Sequence, residues 1–268
     1  SKWRRSERRA VDRLLLEDAA EPVPSFSIDL AGACIRVSPL HGRVRALCRD
    51  YLSEGVPALH VRTTQVEIDA ERDGPQWSDD YLETLAVYRK IAEWLPSCER
   101  MLVHGAAVAF QGRAHLFCAP SGTGKSTHVR LWCEHLGSAV TVINGDKPIV
   151  RVPADGGPPI VYGAPWAGKE GWQTNASAPL AGICFLGRSR PGESAIRRVA
   201  PEECVDEALR QAYLPRDAHA AGLALELLDG LLARVALFRL SCDVSEDAVR
   251  CSFEALAGLS YDDWTITA

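Results

Sequence analysis

The residues best suited to chemistry are consecutive: Ala119-Pro120-Ser121-Gly122-Thr123-Gly124-Lys125-Ser126-Thr127. Gly122 and Gly124 allow the backbone to curl until successive N–H groups face one point. Such a nest, followed by a helix N-terminus, attracts anionic phosphates. The phosphate-loop pattern is G-x-x-x-x-G-K-[ST]. The chain matches it at Gly124, Lys125 and Ser126 and carries Ala119 in place of the first glycine. Ser121, Gly122, Thr123 and Gly124 would line the phosphates. Lys125 would place a point charge on the β- and γ-phosphates, Ser126 a hydroxyl on Mg2+, and Thr127 a contact on the α-phosphate.

A phosphate loop alone does not choose a reaction, because switches, motors and kinases share it. Three neighbouring features narrow the choice. His104-Gly105 opens the hairpin that leads into the loop. Asp146 follows the apolar run Ala139–Ile143, where a carboxylate can hold Mg2+ or take a proton from an attacking hydroxyl. Tyr162-Gly163-Ala164-Pro165-Trp166-Ala167-Gly168-Lys169-Glu170 sets a Lys-Glu pair among small residues. A loop of that kind could bring Lys169 to a transferring phosphoryl group, since that chemistry is mainly positioning and charge stabilisation.

These groups need elements to hold them. Gly105–Phe110 and Ala114–Cys118 read as strands joined by the tight turn Gln111-Gly112-Arg113. A helix is expected over Thr127–Leu136, then strands at Ala139–Ile143, near Val150, at Ile160–Tyr162 and at Ala181–Leu186. Helices Pro201–Leu214 and Asp217–Leu232, a strand Val235–Leu240 and a helix Ser245–Leu256 complete this half. The alternation predicts a three-layer or sandwiched α/β domain over residues 101–268. Residues 1–100 read as a smaller α+β module that could recognise the acceptor. It comprises a helix over 1–20, a strand Ser27–Val37, a helix Gly42–Tyr51, a long strand or strand pair Ala58–Ala70, and a helix capped at Ser78 or Asp79 that ends before Pro96.

Composition excludes some classes. In 268 residues, a 47% hydrophobic and 24% charged share rules out disordered, collagen-like and low-complexity chains. A net charge of −5 argues against general nucleic-acid binding. The basic residues Lys2, Arg4, Arg5, Arg8, Arg9 and Arg13 read as a solvated helix face or, alternatively, as a contact for an acidic partner. No apolar stretch approaches the roughly 18–20 residues of a membrane helix, and no secretory signal is expected behind Ser1-Lys2-Trp3. The nine cysteines form no CxxC pair. Cys118, Cys184, Cys204 and Cys251 read as small core residues, and reduced thiols in a cytoplasmic protein are expected.

Together, His104-Gly105-Ala106-Ala107-Val108, Cys118 to His128, Asn144-Gly145-Asp146-Lys147-Pro148 and Gly163 to Glu170 resemble the HPr kinase/phosphorylase family. The catalytic domain of that family is similar to the nucleotide-binding domain of phosphoenolpyruvate carboxykinase. The resemblance covers roughly residues 101–256. It implies that fold, ATP and Mg2+ as cofactors, and phosphorylation of a serine. Some short relatives modify a serine at the end of a ribosomally made peptide, as in lasso-peptide tailoring, and others resemble kinases of free serine. Family roles would make Lys125 and Ser126 phosphate and metal binders, and Asp146 the general base or a metal ligand. His104 would assist proton transfer, and Lys169 and Glu170 would face the substrate. One departure stands out: the family has two successive acids where this chain has Gly145-Asp146. Residues 1–100 do not match the N-terminal domain of the bacterial HPr kinases, so HPr is not the expected acceptor.

The leading expectation is an ATP-dependent phosphotransferase acting on a serine of a peptide, a protein or the free amino acid, with oligomers possible. The rival is a kinase-derived nucleotide-binding regulatory or peptide-binding module, motivated by Gly145. A third reading, carboxykinase-like chemistry on a small acid, would need Arg188, Arg190, Arg197 or Arg198 at the site.

Overall fold

A computed structural model describes residues 23–267. The helix expected over residues 1–20, with its basic cluster, lies outside the described residues.

The single strand expected over Ser27–Val37 is a hairpin, β1 (Phe26–Leu30) and β2 (Ala33–Ser38). Ala31 and Gly32 both take positive φ, 57° and 76°. A two-residue hairpin turn requires that conformation, and the Asp29 carboxylate accepts the Gly32 N–H at 2.8 Å. A short helix, α1 (Arg43–Leu47), and one 3-10 turn (Arg49–Tyr51) replace the longer helix expected there. The stretch Ala58–Ala70 divides. β3 (Leu59–Arg62) pairs with β2 in parallel, and α2 (Gln65–Ala70) follows. Thr64 and Glu67 explain the switch. Glu67 N–H donates to the Thr64 hydroxyl at 3.4 Å while Thr64 N–H donates to the Glu67 carboxylate at 2.9 Å. This reciprocal cap starts a helix even where β-branched residues precede it.

The helix α3 (Asp79–Trp94) covers the small sheet. Its Glu83 is fully buried. Its side-chain oxygens accept the Leu40 and His41 N–H groups at 2.6 and 2.7 Å and the Thr63 hydroxyl, so both buried oxygens are hydrogen-bonded.

The remaining strands are β4 (Arg100–Leu102), β5 (Ala106–Phe110), β6 (Arg113–Cys118), β7 (Val140–Asn144), β8 (Ile149–Arg151), β9 (Ile160–Tyr162), β10 (Ser177–Arg188), β11 (Ala195–Arg198) and β12 (Ala236–Cys242). They form one mixed sheet in the order β4-β8-β9-β10-β6-β5-β7, with β12 beside β10 and β11 beside β12. The long β10 organises it. One edge pairs antiparallel with β9 near its start and parallel with β12 further on, and the other edge runs parallel to β6.

Strand alternation sends neighbouring residues to opposite cores. Ala114, Leu116 and Cys118 face a core completed by Cys204 and Ala208 of α5 (Pro201–Gln211) and by Leu228, Leu231 and Leu232 of α6 (Ala218–Leu232). Phe117 and Ala119 face the other core. There Val129 and Trp132 of α4 (Lys125–Leu136), Val249 and Phe253 of α7 (Glu246–Ala257) and Tyr261 of α8 (Tyr261–Thr267) pack together. The result is a mixed α/β architecture with helices on both faces of a mixed sheet. Cys118, Cys184 and Cys204 are buried, whereas Cys251 is half-buried at the margin.

Residues 26–95 share a core with the larger part of the chain. Ile28, Ile35, Val87 and Ile91 pack in one cluster with Leu102, Ile149, Ala164 and Trp166. Among the described residues no helix is long and apolar enough to cross a membrane.

Candidate active site

β6 carries the chain through the middle of the sheet, buried from Ala114 to Cys118, and releases it into the loop 119–124. Gly122 and Gly124 have φ of +78° and +125°, the left-handed region in which glycine alone is comfortable. Helix α4 starts at Lys125, with Gly124 as its N-cap and no acid in its first turn. His128 N–H is the first to find an intrahelical carbonyl, Gly124 O at 2.9 Å. The Lys125, Ser126 and Thr127 amides therefore stay available to a ligand, whereas the Thr123 N–H is taken up by Pro120 O at 3.2 Å. The Arg188 guanidinium holds the loop from outside, donating to Gly122 O at 2.5 Å and Thr123 O at 3.3 Å.

Lys125 is buried at the floor of the site. Its ammonium donates to Ala119 O at 2.6 Å and lies 3.2 Å from His104 Nε2. Burial pushes its pKa down, with the Asp146 carboxylate acting in the opposite sense. A cation short of water gains more from an incoming phosphate than a solvated one does. His104 sits just before β5. Its backbone N–H donates to Gln211 O at 2.7 Å, and its Nε2 lies 3.5 Å from Asp146 Oδ1.

Asp146 sits in the turn after β7. Asn144, fully buried, builds that turn. Its side-chain oxygen accepts the Asp146 and Lys147 N–H groups at 2.9 and 2.7 Å, while its side-chain nitrogen donates to Ala164 O at 2.9 Å and Trp166 O at 3.3 Å. One side chain thus ties the Asp146 turn to the loop 163–171. Gly168 of that loop, at φ +70°, comes so close that a Cβ there would stand 3.0 Å from Asp146 Cβ. The Lys147 ammonium bonds to the free side of the Asp146 carboxylate. His104 beside it, and then Lys147, hold the Asp146 carboxyl well below the usual carboxylate range, against burial, which pulls the other way. Asp146 is therefore an anion at neutral pH.

These elements enclose a cavity of about 570 Å³. His104, Ser121, Gly122, Gly124, Lys125, Ser126, Thr127, Asp146 and Lys169 border it, together with Arg130, Lys147 and Glu170. Thr123 does not. It lines an adjoining cavity of about 560 Å³ with Arg188, Leu186 and Val244. Lys169 reaches only the rim, with a side chain 90% exposed and its ammonium 4.0 Å from Glu170. Of the arginines considered for a small acid, none borders the cavity that holds Asp146, and Arg197 is engaged by Glu203 at 2.8 Å.

Lys147, which reads in the sequence as a simple surface charge, instead pairs with Asp146 on the cavity; sequence patterns passed over Gln211 and the linking role of Asn144. The last had a local signal, because Asn followed by Gly-Asp favours a side-chain-stabilised turn. Gly145, where the family pattern has an acid, lies against Trp172. Its N–H donates to Trp172 O at 2.8 Å, and a Cβ there would meet Trp172 Cβ at 3.3 Å.

Among the described residues no group of three or more His, Cys, Asp or Glu side chains is placed to hold a metal ion. The donors present, the Ser126 hydroxyl and the Asp146 carboxylate on one cavity, suit Mg2+ arriving with phosphates. Mg2+ commonly takes one or two protein ligands and keeps waters and phosphate oxygens for the rest.

No family model matches the chain, and no curated protein does. Among solved structures, the chain is similar to the Hpr(Ser) kinase/phosphatase from Coxiella burnetii at a TM-score of 0.31 and 9% identity, over 60% of this chain and 94% of that chain. The functional reading therefore rests on the site's own residues.

Proposed function

We propose that the chain is a phosphotransferase that moves the γ-phosphoryl group of ATP to a hydroxyl, most simply that of a serine in a peptide, a protein or the free amino acid. The carrying observation is one cavity bordered by the glycine loop, Lys125, His104 and Asp146, with Lys125 Nζ 3.2 Å and Asp146 Oδ1 3.5 Å from the same His104 nitrogen.

The loop amides and the α4 N-terminus would hold the phosphates, and Thr127 would reach the α-phosphate. Lys125 neutralises the β- and γ-phosphates. Ser126 would hold Mg2+, which when bound would supply charge neutralisation on the phosphates, and Asp146, the other candidate ligand, is then left to the acceptor. The acceptor hydroxyl enters opposite the leaving group and Asp146 orients it. Its oxygen bonds to the γ-phosphorus, the bond to the β-phosphate oxygen breaks, ADP leaves, and the hydroxyl proton passes to Asp146. A carboxylate held this acidic is a weak base. A loose phosphoryl transition state asks little of it until late, so positioning and charge supply most of the acceleration.

The test is transfer from γ-labelled ATP with Mg2+ to serine, serine-ended peptides and small alcohols. Transfer is expected above a Lys125→Ala control. Turnover and hydrolysis equal to that control would overturn the proposal. The engagement of both Asp146 oxygens, by His104 and Lys147, favours as a second reading a nucleotide-binding module without catalysis. Tight ATP binding that ignores Mg2+ would support it.

A further inference from the structure

His104 is held from behind by a residue 107 positions away in sequence. Gln211 ends α5 with its side chain buried at 6% exposure. Its backbone is fixed too. Gln211 O accepts the His104 N–H at 2.7 Å, Ala212 bridges to Val103, and Tyr213 N–H donates to Leu102 O at 2.9 Å. Residues 211–213 thus run against 102–104 as a short antiparallel pair, and the Gln211 amide has one place to go.

One end of that amide lies 2.8 Å from His104 Nδ1, 3.2 Å from Ala119 O and 3.1 Å from His104 O. Two of these neighbours are backbone carbonyls, which can only accept. An oxygen there would suit Nδ1 alone, whereas the NH2 group suits all three neighbours, so the amide is assigned with its NH2 group facing them. With that nitrogen only 2.8 Å from Nδ1, the closest of the three, Nδ1 carries the lone pair. In the neutral ring the proton is then on Nε2.

We propose that Gln211 is a positioning residue that sets the His104 tautomer: Nδ1 bare, Nε2 protonated and aimed into the cavity between Lys125 and Asp146. The role of the ring follows from its proton. A neutral Nε2–H has no lone pair with which to take a proton, so His104 is a donor here and not a base. Nε2–H and the Lys125 ammonium, 3.2 Å apart, are then two donors side by side. Side-by-side donors need an acceptor between them. Within the protein, Nε2–H has the loose 3.5 Å contact to Asp146 Oδ1. A γ-phosphoryl oxygen would satisfy both donors together and release Asp146 for the acceptor hydroxyl. That last step rests on the phosphotransferase reading, whereas the tautomer does not.

The experiment is nitrogen-15 NMR of the histidine rings in the full chain, with the His104 signals identified by their absence in His104→Asn. The proposal expects a protonated Nε2 and a bare Nδ1. Gln211→Glu, whose carboxylate only accepts, should move the proton to Nδ1, and Gln211→Met should leave a mixture. Unchanged thermal melting checks that these variants fold, and the wild-type spectrum decides if they do not. A wild-type ring protonated at Nδ1, or a folded Gln211→Glu protein with an unmoved proton, overturns the proposal. Turnover reads the second step. ATP with Mg2+ should sharpen the Nε2–H signal, and Gln211→Glu should lower kcat at least tenfold with a smaller effect on KM. The expected tautomer in a wild-type protein without any transfer would overturn the phosphotransferase reading and leave the tautomer assignment standing.

Discussion

The buried side-chain oxygen of Asn144 accepts the Asp146 N–H at 2.9 Å. The nitrogen of the same amide holds Ala164 O at 2.9 Å, so the carboxylate and the loop beside it are positioned by one residue. Asn144→Asp keeps the acceptor and replaces the donor by a charge facing two carbonyls. It should cost about 2–4 kcal/mol, the combined loss of buried hydrogen bonds and the burial of an unpaired charge. Asn144→Ala should cost about 1–3 kcal/mol. Urea denaturation checks both. Equal stability of wild type and Asn144→Asp would show that the amide nitrogen holds nothing of consequence.

The N-terminal part of the chain bears on the same loop. Trp166 is buried among Leu102, Val87 and Ile91 and donates from its indole nitrogen to Thr84 O at 3.2 Å. Trp166→Ala should cost about 3–5 kcal/mol, as large-to-small changes in cores do. Removing residues 1–95 strips the cover from Trp166, Ala164, Ile149 and Leu102, and the truncated protein should aggregate. A soluble, cooperatively melting truncation would mean that residues 96–268 close a core by themselves. Calorimetry and light scattering decide.

Two buried histidines set the acid limit of stability. Burial pushes His115 and His128 each down to about 4. Between the usual value of about 6.5 and that limit, the unfolded chain takes up protons that the folded one refuses, so stability falls as pH drops through this window. At full ionisation the loss is on the order of 3 kcal/mol for each ring. Asp146 acts lower: its depressed folded value adds stability above about pH 4 that is lost below it. Nδ1 has no partner in either ring, and His128 Nε2 bonds to Ser252 at 3.0 Å. His115→Leu should therefore roughly halve the slope of urea midpoint against pH from 6.5 to 4. An unaltered slope would remove His115 from the account.

What the sequence by itself determined is local. The glycine spacing of 119–127, the hairpin before it, the helix after it and the turn at Asp146 all depend on residues close together in the chain, where backbone preference and periodicity act directly. The misread segments had local signals as well: Ala31-Gly32 for a turn, and Thr64 with Glu67 for a helix start. There β-branched and apolar residues continued a strand pattern across a genuine boundary.

Only the tertiary structure decided the rest. It brought Gln211 behind His104 and Thr84 onto Trp166, and it set Gly145 against Trp172. It left Lys169 in solvent and buried Lys125. Each of these follows from contacts between elements far apart in the chain, and from the burial those contacts create. Residue types and spacing do not encode which distant side chain will fill a given space, or which charge will lose its water.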